Sequence, residues 1–382
     1  MTNITRCIIE SADKTNLSRF FSDALWKEKA INDARVKLMN DKTRPWHRAK
    51  EITSLSLDNT LREHVGDLFE YVARHYDHSD RRYPLAHNPV TNHYGCGAVR
   101  FPVDLALYRR YEEFSAWEHY VKKCLPEATI PHDAKAKAKF QRQVEPTLLQ
   151  DPEFAELYGR FQTRLQLTSQ LIGQAVAHEL DFDVVLFDGW YLAPSVVECV
   201  RRHHKDWVSV LKKNCNLESY SFTLKDEHAQ PLRLAGLQIR VEDVVPLIPR
   251  SAFKPLPIAD TTYWTFTFTP RIGGLGKVRL VISFANADLT GTYVVLVTNR
   301  CDWTAQRIIV ANSLLHRDCL LTTDPKALTP DKTIGEACRQ QAQSLIEALI
   351  LYAYDGLSNG VDAPELLSDL FAAQQPVKSR LS

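Results

Sequence analysis

Two apolar runs in this chain each stop on a carboxylate: "SLSLD" ends at Asp58 and "VVLFD" ends at Asp188. Strand ends in α/β folds are where ligand-binding and catalytic groups are placed. Acids this far apart in sequence become neighbours when their strands lie side by side in one sheet. Carboxylate oxygens suit hard divalent cations, so the pair is a candidate holder of Mg²⁺ or Mn²⁺. Two such ions about 4 Å apart clamp the attacking and leaving oxygens of a phosphodiester displacement. Asp188 also has a plainer reading, in which it caps the helix starting near Pro194 or stays solvated in a turn.

Other spacings carry less. His75, Asp77, His78 and Asp80 in "RHYDHSD" have residue types that ligate a transition metal, but they sit in what reads as a polar loop, where a hydrogen-bonded surface cluster is the default. No GxxxxGK[ST] run is present, which leaves a P-loop unsupported. "RIGGLGKVR" has the glycines of a nucleotide loop without the flanking strand and helix, and reads as a hairpin turn. The pair Trp190–Tyr191, directly after Asp188, reads first as core packing and second as a DNA contact.

The elements that would position these residues are legible from periodicity. "TNLSRFFSDALWKEKAINDARVKLM" has helical spacing, and residues 1–50 form a helical, polar N-terminal region, which the resemblance given below implies is DNA-binding. "ITSLSLDNT" is a strand, and the aromatic, turn-rich stretch from Val65 to Tyr108 reads as irregular structure leading into further strands. Helices dominate from about Glu112 to His178. "VVLF", a helix from Pro194 and "WVSVL" then make a strand–helix–strand unit, completing the first part of an α/β core over 51–216. Residues 217–300 are short β-rich runs, an insertion, and 301–382 hold the rest of the core with a C-terminal helix, Thr333 to Leu357.

Composition sets the class. A 382-residue chain that is 45% hydrophobic and 24% charged is an ordinary globular protein of more than one small core. Its eight cysteines are scattered singly without CxxC, which excludes a zinc ribbon or disulfide scaffold and suits a reducing cytoplasm. No leader-like or membrane-length apolar run is present, so a cytoplasmic protein without a membrane partner is expected. Net charge is +1, so nucleic acid would have to meet local basic patches. Arg35 to Lys50, Ala134 to Gln143, Arg201 to Lys205, and Lys212–Lys213 supply them. Arg201, Arg202, Lys205, Lys212 and Lys213 are the candidate phosphate contacts beside the second acid.

The stretch from "SLSLDNT" to "YRRYEEF" resembles the first-aspartate region of DDE transposases of bacterial insertion sequences, IS4-like in the broad sense. "VLFDGWYLAPSVVECVRRHHKDWVSVLKKN" is similar to their second-aspartate region, and "VEDVVPLIP", "YWTFTF" and "GTYVVLVTNRCDW" to the β insertion of that family. "TIGEACRQQAQSLIEALI" resembles its C-terminal helix. The resemblance implies a ribonuclease H-like α/β core interrupted by a β-rich insertion. It implies metal-dependent cleavage and strand transfer at the double-stranded ends of a mobile element. Asp58 and Asp188 are then the first two metal ligands, with Mg²⁺ or Mn²⁺ as cofactor.

The chain departs from that pattern twice. The first site reads Asp58–Asn59–Thr60 where the family has paired acids, which leaves open whether Asp58 or Asn59 stands at the ligand position. The family's third acid comes from a Tyr-x₂-Arg-x₃-Glu-x₆-Lys helix, and no such match occurs; Trp303 to Arg317 contains no acid. An in-frame deletion between about Ile309 and Val310 accounts for this, and predicts an impaired site and a sheet face short of its covering helix. One rival expectation is a functional nuclease that recruits another acid, such as Asp302 or Glu336. The other rival expectation is a non-catalytic protein that binds element ends, or forms mixed oligomers with a full-length transposase.

Overall fold

The computed structural model describes residues 28–44, 51–63, 72–77, 80–97, 99–225 and 230–323. The chain divides into two units, one of residues 1–46 with 324–382 and one of residues 47–323. In the first, the described part is helix α1 (Glu28–Thr43), where ion pairs Lys29–Asp33 and Lys37–Asp41 join successive turns. The expected C-terminal helix, with Glu336, lies outside the described residues, as does most of the N-terminal pattern.

The second unit is built on β1 (Thr53–Asn59), β2 (Arg62–Glu63), β3 (Ala73–Arg74), β4 (Leu85–Cys96) and β5 (Val99–Tyr108). Helices α2 (Tyr111–Phe114), α3 (Trp117–Cys124), α4 (Ala134–Leu148), α5 (Pro152–Arg160) and α6 (Arg164–Ala177) follow. Then come β6 (Val184–Phe187), α7 (Pro194–Arg202) and β7 (Asp206–Val210), the expected strand–helix–strand unit. The remaining elements are β8 (Asn216–Lys225), β9 (Pro231–Arg240), α8 (Val241–Val244), β10 (Lys254–Ile258), β11 (Thr261–Phe268), β12 (Arg271–Ile272), β13 (Gly276–Lys277), β14 (Arg279–Phe284), β15 (Tyr293–Thr298) and α9 (Ala305–Thr323).

One sheet runs β10-β11-β14-β15-β7-β6-β1-β4, with β2, β3 and β5 all pairing with β4. Strands β1, β4 and β5 are antiparallel, while β6 and β7 run parallel to β1, the pairing that requires a helical crossover. The aromatic, turn-rich stretch leads, as expected, into further strands, which form a long β4–β5 hairpin at one edge of the sheet. The hairpin's polar side chains obscured its length because they are satisfied inside: Asn92 donates to the Leu171 carbonyl of α6 at 3.0 Å and accepts the Asp104 N–H at 2.7 Å, next to a bulge.

The β-rich segment is not a separate module. Strands β10, β11, β14 and β15 extend the central sheet, and only β8, β9, β12 and β13 form a second, four-stranded sheet. "RIGGLGKVR" is the β12–β13 hairpin, with Gly274 and Gly276 at φ +77° and +81°, where a glycine is tolerated best.

Each face of the central sheet is covered. Val184, Leu186, Val208, Val281 and Leu296 pack with Trp303, Ile308, Ile309, Ala311 and Leu315 of α9 and the turn before it. The face expected to lack its covering helix is thus closed by α9 itself, because the residues on either side of Ile309 and Val310 form one continuous helix. Asn92 and Tyr94 look to the opposite side, towards α6. Helices α3, α4 and α5 close a smaller core around Trp117, Leu148 and Phe154.

Candidate active site

Registry places the two acids together. Strands β1 and β6 are paired in parallel through Ser56↔Leu186 and Leu57↔Phe187, so the next pair in register is Asp58 and Asp188. Neighbouring strands lie about 4.8 Å apart, and residues opposite each other point to the same face. That face is the one α9 covers, since Val184 and Leu186 share the parity of Asp188. Asp58 is half-buried and Asp188 exposed.

Asn59 is on the other face. Its Oδ1 accepts the Tyr191 hydroxyl at 2.9 Å, and its amide donates to Asn88 Oδ1 at 3.2 Å. Tyr191 is fully buried and arrives from the turn after β6, so this bond ties the ends of β1 and β6 to each other. The geometry therefore sets Asp58, not Asn59, beside Asp188. Of the aromatic pair, Tyr191 is core as expected, whereas Trp190 is 43% exposed.

The loop after β6 is shaped around Asp188. Its Oδ1 accepts the N–H groups of Trp190 at 2.9 Å and Tyr191 at 3.2 Å, and its carbonyl accepts the Ser209 hydroxyl at 3.1 Å. Asp188 does not cap α7, whose N-cap is Ala193 with no side-chain bond. The turn reading and the site reading are compatible, because both N–H groups go to one carboxylate oxygen. Gly189 is needed here: a Cβ would lie 2.7 Å from the Val210 carbonyl oxygen of the neighbouring strand.

The five candidate phosphate contacts are split between the two ends of the sheet. Lys212 and Lys213 follow β7 at the Asp188 end, with the Lys213 ammonium 4.0 Å from the Tyr293 ring centroid. Arg201, Arg202 and Lys205 precede β7 at the other end, about 13 Å away along the strand. There Arg201 is paired with Glu198 at 2.8 Å, and Lys205 lies 4.7 Å over the Phe182 ring.

Asp302, one expected substitute for the third acid, also sits at that far end. Arg300 grips it through Nε at 2.8 Å and a terminal nitrogen at 2.7 Å, and also pairs with Asp206 at 2.7 Å. These bonds hold the Asp302 carboxyl down at about 2 and raise the Arg300 guanidinium. It is a structural clamp away from the carboxylate pair. Helix α9 runs on past Arg317 to Thr323 and so contains Asp318, beyond the acid-free stretch. Among the described residues no three His, Cys, Asp or Glu side chains converge as a metal cluster.

The rival "RHYDHSD" reading changes character. His75 is 2% exposed and not part of a polar surface loop, while Asp77 forms a β-bridge with Arg82; His78 lies outside the described residues. Burial, with Arg164 and Arg110 nearby, lowers His75 to about 4, so it is neutral at pH 7. Pattern reading missed Arg164. Its signal was "TRLQ", a capping box in which Thr163 and Gln166 bond each other's backbone at the start of α6.

A paired-strand α/β core with two adjacent strand-end acids is the architecture that the resemblance implied. The model of the DDE superfamily endonuclease family matches residues 1–220. This chain belongs to that family. No match is found among curated proteins. The mixed sheet with its flanking helices is the ribonuclease H-like fold of DDE endonucleases, and matched residues 1–220 include Asp58 and Asp188. Endonucleases of this superfamily generally use divalent metal ions. Two neighbouring carboxylates on one face fit that preference in donor type. Among the described residues no helix is long and apolar enough to cross a membrane.

Proposed function

We propose that this DDE endonuclease acts on double-stranded DNA at the ends of an insertion sequence, with a two-carboxylate site impaired by loss of the third acid. The observation that carries this is the register of β1 and β6, which sets Asp58 and Asp188 side by side at the strand ends. In this reading they hold Mg²⁺ or Mn²⁺, which supplies Lewis-acid activation of a phosphodiester and of the attacking hydroxyl.

The chain's own residues do the positioning. The Trp190 and Tyr191 N–H groups fix one Asp188 oxygen and with it the orientation of the carboxylate. The Tyr191–Asn59 bond holds the strand ends at fixed spacing, a supporting contact of the kind whose loss typically weakens metal sites 10- to 100-fold. Lys212 and Lys213 lie on the side where a phosphate backbone reaches the acids. Arg201, Arg202 and Lys205 add charge at a distance. Missing the third carboxylate removes negative charge that would balance the cations, which supports slow or absent turnover.

The alternative is a non-catalytic binder of element ends or of a full-length transposase, as a mixed oligomer. Its support is the missing Tyr-Arg-Glu-Lys stretch. A cytoplasmic setting suits both readings. The deciding experiment is cleavage of DNA bearing the flanking element ends in Mg²⁺ and Mn²⁺, with Asp188→Ala as control. Weak cleavage that disappears in the variant supports an impaired enzyme. Binding with no cleavage in either protein supports the alternative, and neither binding nor cleavage would sink both readings.

A further inference from the structure

At the sheet end that carries Asp58 and Asp188, on the opposite, α6 side, an arginine lies within cation–π distance of two aromatic rings. The Arg164 guanidinium is 4.6 Å from the Tyr108 ring centroid and 5.3 Å from that of Trp190. Its Nε is buried and bonds to nothing, and among the described residues no carboxylate pairs with this arginine. A half-buried guanidinium without a counter-charge is unusual, since buried polar groups are nearly always bonded. Both rings attract the charge of this guanidinium, and its in-plane N–H groups form the fork that matches the oxygens of a phosphate.

A second group in the same place is also unbonded. His75, 2% exposed, has its ring centroid 6.1 Å from that of Tyr108, and neither ring nitrogen has a partner. The charge around it is positive, from Arg164 and Arg110. Trp190 then adds a large exposed ring tied to the proposed site, because its own N–H is held by the Asp188 carboxylate at 2.9 Å. A guanidinium with free donors beside an open indole is a phosphate-plus-base arrangement. Bases in duplex DNA are already stacked on each other, so such a ring takes an unpaired base.

We propose that Arg164 and Trp190 form a binding position for an unpaired DNA nucleotide at the sheet end that carries Asp58 and Asp188, the guanidinium taking its phosphate and the indole stacking its base. This rests on the DNA-processing reading above. Its role is to favour strands already opened at this end of the sheet, with the Tyr108 ring holding the guanidinium in place.

The test is fluorescence anisotropy of the full chain with two labelled probes, an oligo-dT of about 20 nucleotides and a blunt duplex of the same length. Stacking of about 1–3 kcal/mol per base corresponds to roughly 5- to 150-fold in affinity. Arg164→Ala and Trp190→Ala are each expected to weaken oligo-dT binding within that range while changing duplex binding less than about twofold. Arg164→Lys, which keeps the charge but loses the fork, falls between. If circular dichroism shows that an alanine variant does not fold, Arg164→Lys and Trp190→Phe carry the comparison. Equal losses on both probes, or none, overturn the proposal and leave the endonuclease reading standing. A wild-type chain that binds neither probe overturns both.

Discussion

The two ends of the central sheet both carry acids at strand termini, and they use them in opposite ways. At the far end, Asp206 accepts from Asn299 at 2.7 Å and from Arg300 at 2.7 Å, and Arg300 closes on Asp302. That cluster contains its own cation, one guanidinium shared by two carboxylates. At the near end, Asp188 accepts only backbone N–H groups through its side chain, and the strand beside it brings a second carboxylate into register. A strand-end acid is therefore not a site by virtue of position. What separates the two ends is that Arg300 pairs with both far-end acids, whereas the Asp188 carboxylate takes its bonds from backbone N–H groups.

The comparison breaks most readily by exchange. Asp188→Ala should reduce any Mn²⁺-supported cleavage at least about 100-fold, the upper range for loss of a metal-site contact, whereas Asp302→Ala should leave it within about twofold. Equal effects in a cleavage assay would show that the two ends had been wrongly distinguished. Next in size is stability. Arg300→Ala leaves Asp206 partly buried without its partner and should cost about 1–3 kcal/mol in urea denaturation, with DNA binding unchanged.

A pH series sharpens the contrast further. His75 is held near 4 in the fold against about 6.5 unfolded, so the unfolded chain binds the extra proton between those values. Stability should therefore fall by roughly 1–2 kcal/mol as pH drops from about 6.5 to about 4, and His75→Gln should flatten that slope in thermal melts. Asp302 has the opposite sense of charge. Its carboxyl is lowered, so its contribution is present above about pH 4 and disappears as pH falls through about 2; Asp302→Asn removes that acid limb. The smallest effect concerns the lysines. Replacing Lys212 or Lys213 with Ala should lower the salt dependence of DNA binding by about one counterion, and Arg201→Ala, already paired with Glu198, should change it less.

Much of this was legible in residue order. "VVLFDGWYLAPSVVECVRR" is strand, turn and helix by periodicity, and β6 and α7 fall where the pattern put them. Further strands were expected here, but the length of the β4–β5 hairpin was not legible, because Asn88, Asn92 and His93 read as loop residues until their burial is known. Arg164 lay in an unremarkable helix start, since nothing local shows that Tyr108 and Trp190 will close on it. The basic run around Arg201 looked contiguous with Lys212 in sequence, but the five residues of β7 set the two groups at opposite ends of the sheet.

Sequence alone determined that two apolar strands end on acids and that no acid-bearing Tyr-Arg-Glu-Lys helix follows the last strand; both are matters of local order and residue type. Tertiary structure alone decided that Asp58 shares a sheet face with Val184 and Leu186 while Asn59 turns to Tyr191 on the other, because a one-residue step along a strand turns a side chain to the other face. It also decided that α9 closes the face thought to be bare, since the segments flanking Ile309 and Val310 continue one helix whose apolar side meets Val184 and Leu186. Partnering of charge is likewise a property of distance in space: Asp302 and Asp188 look alike in the chain, and only packing gives one of them an arginine.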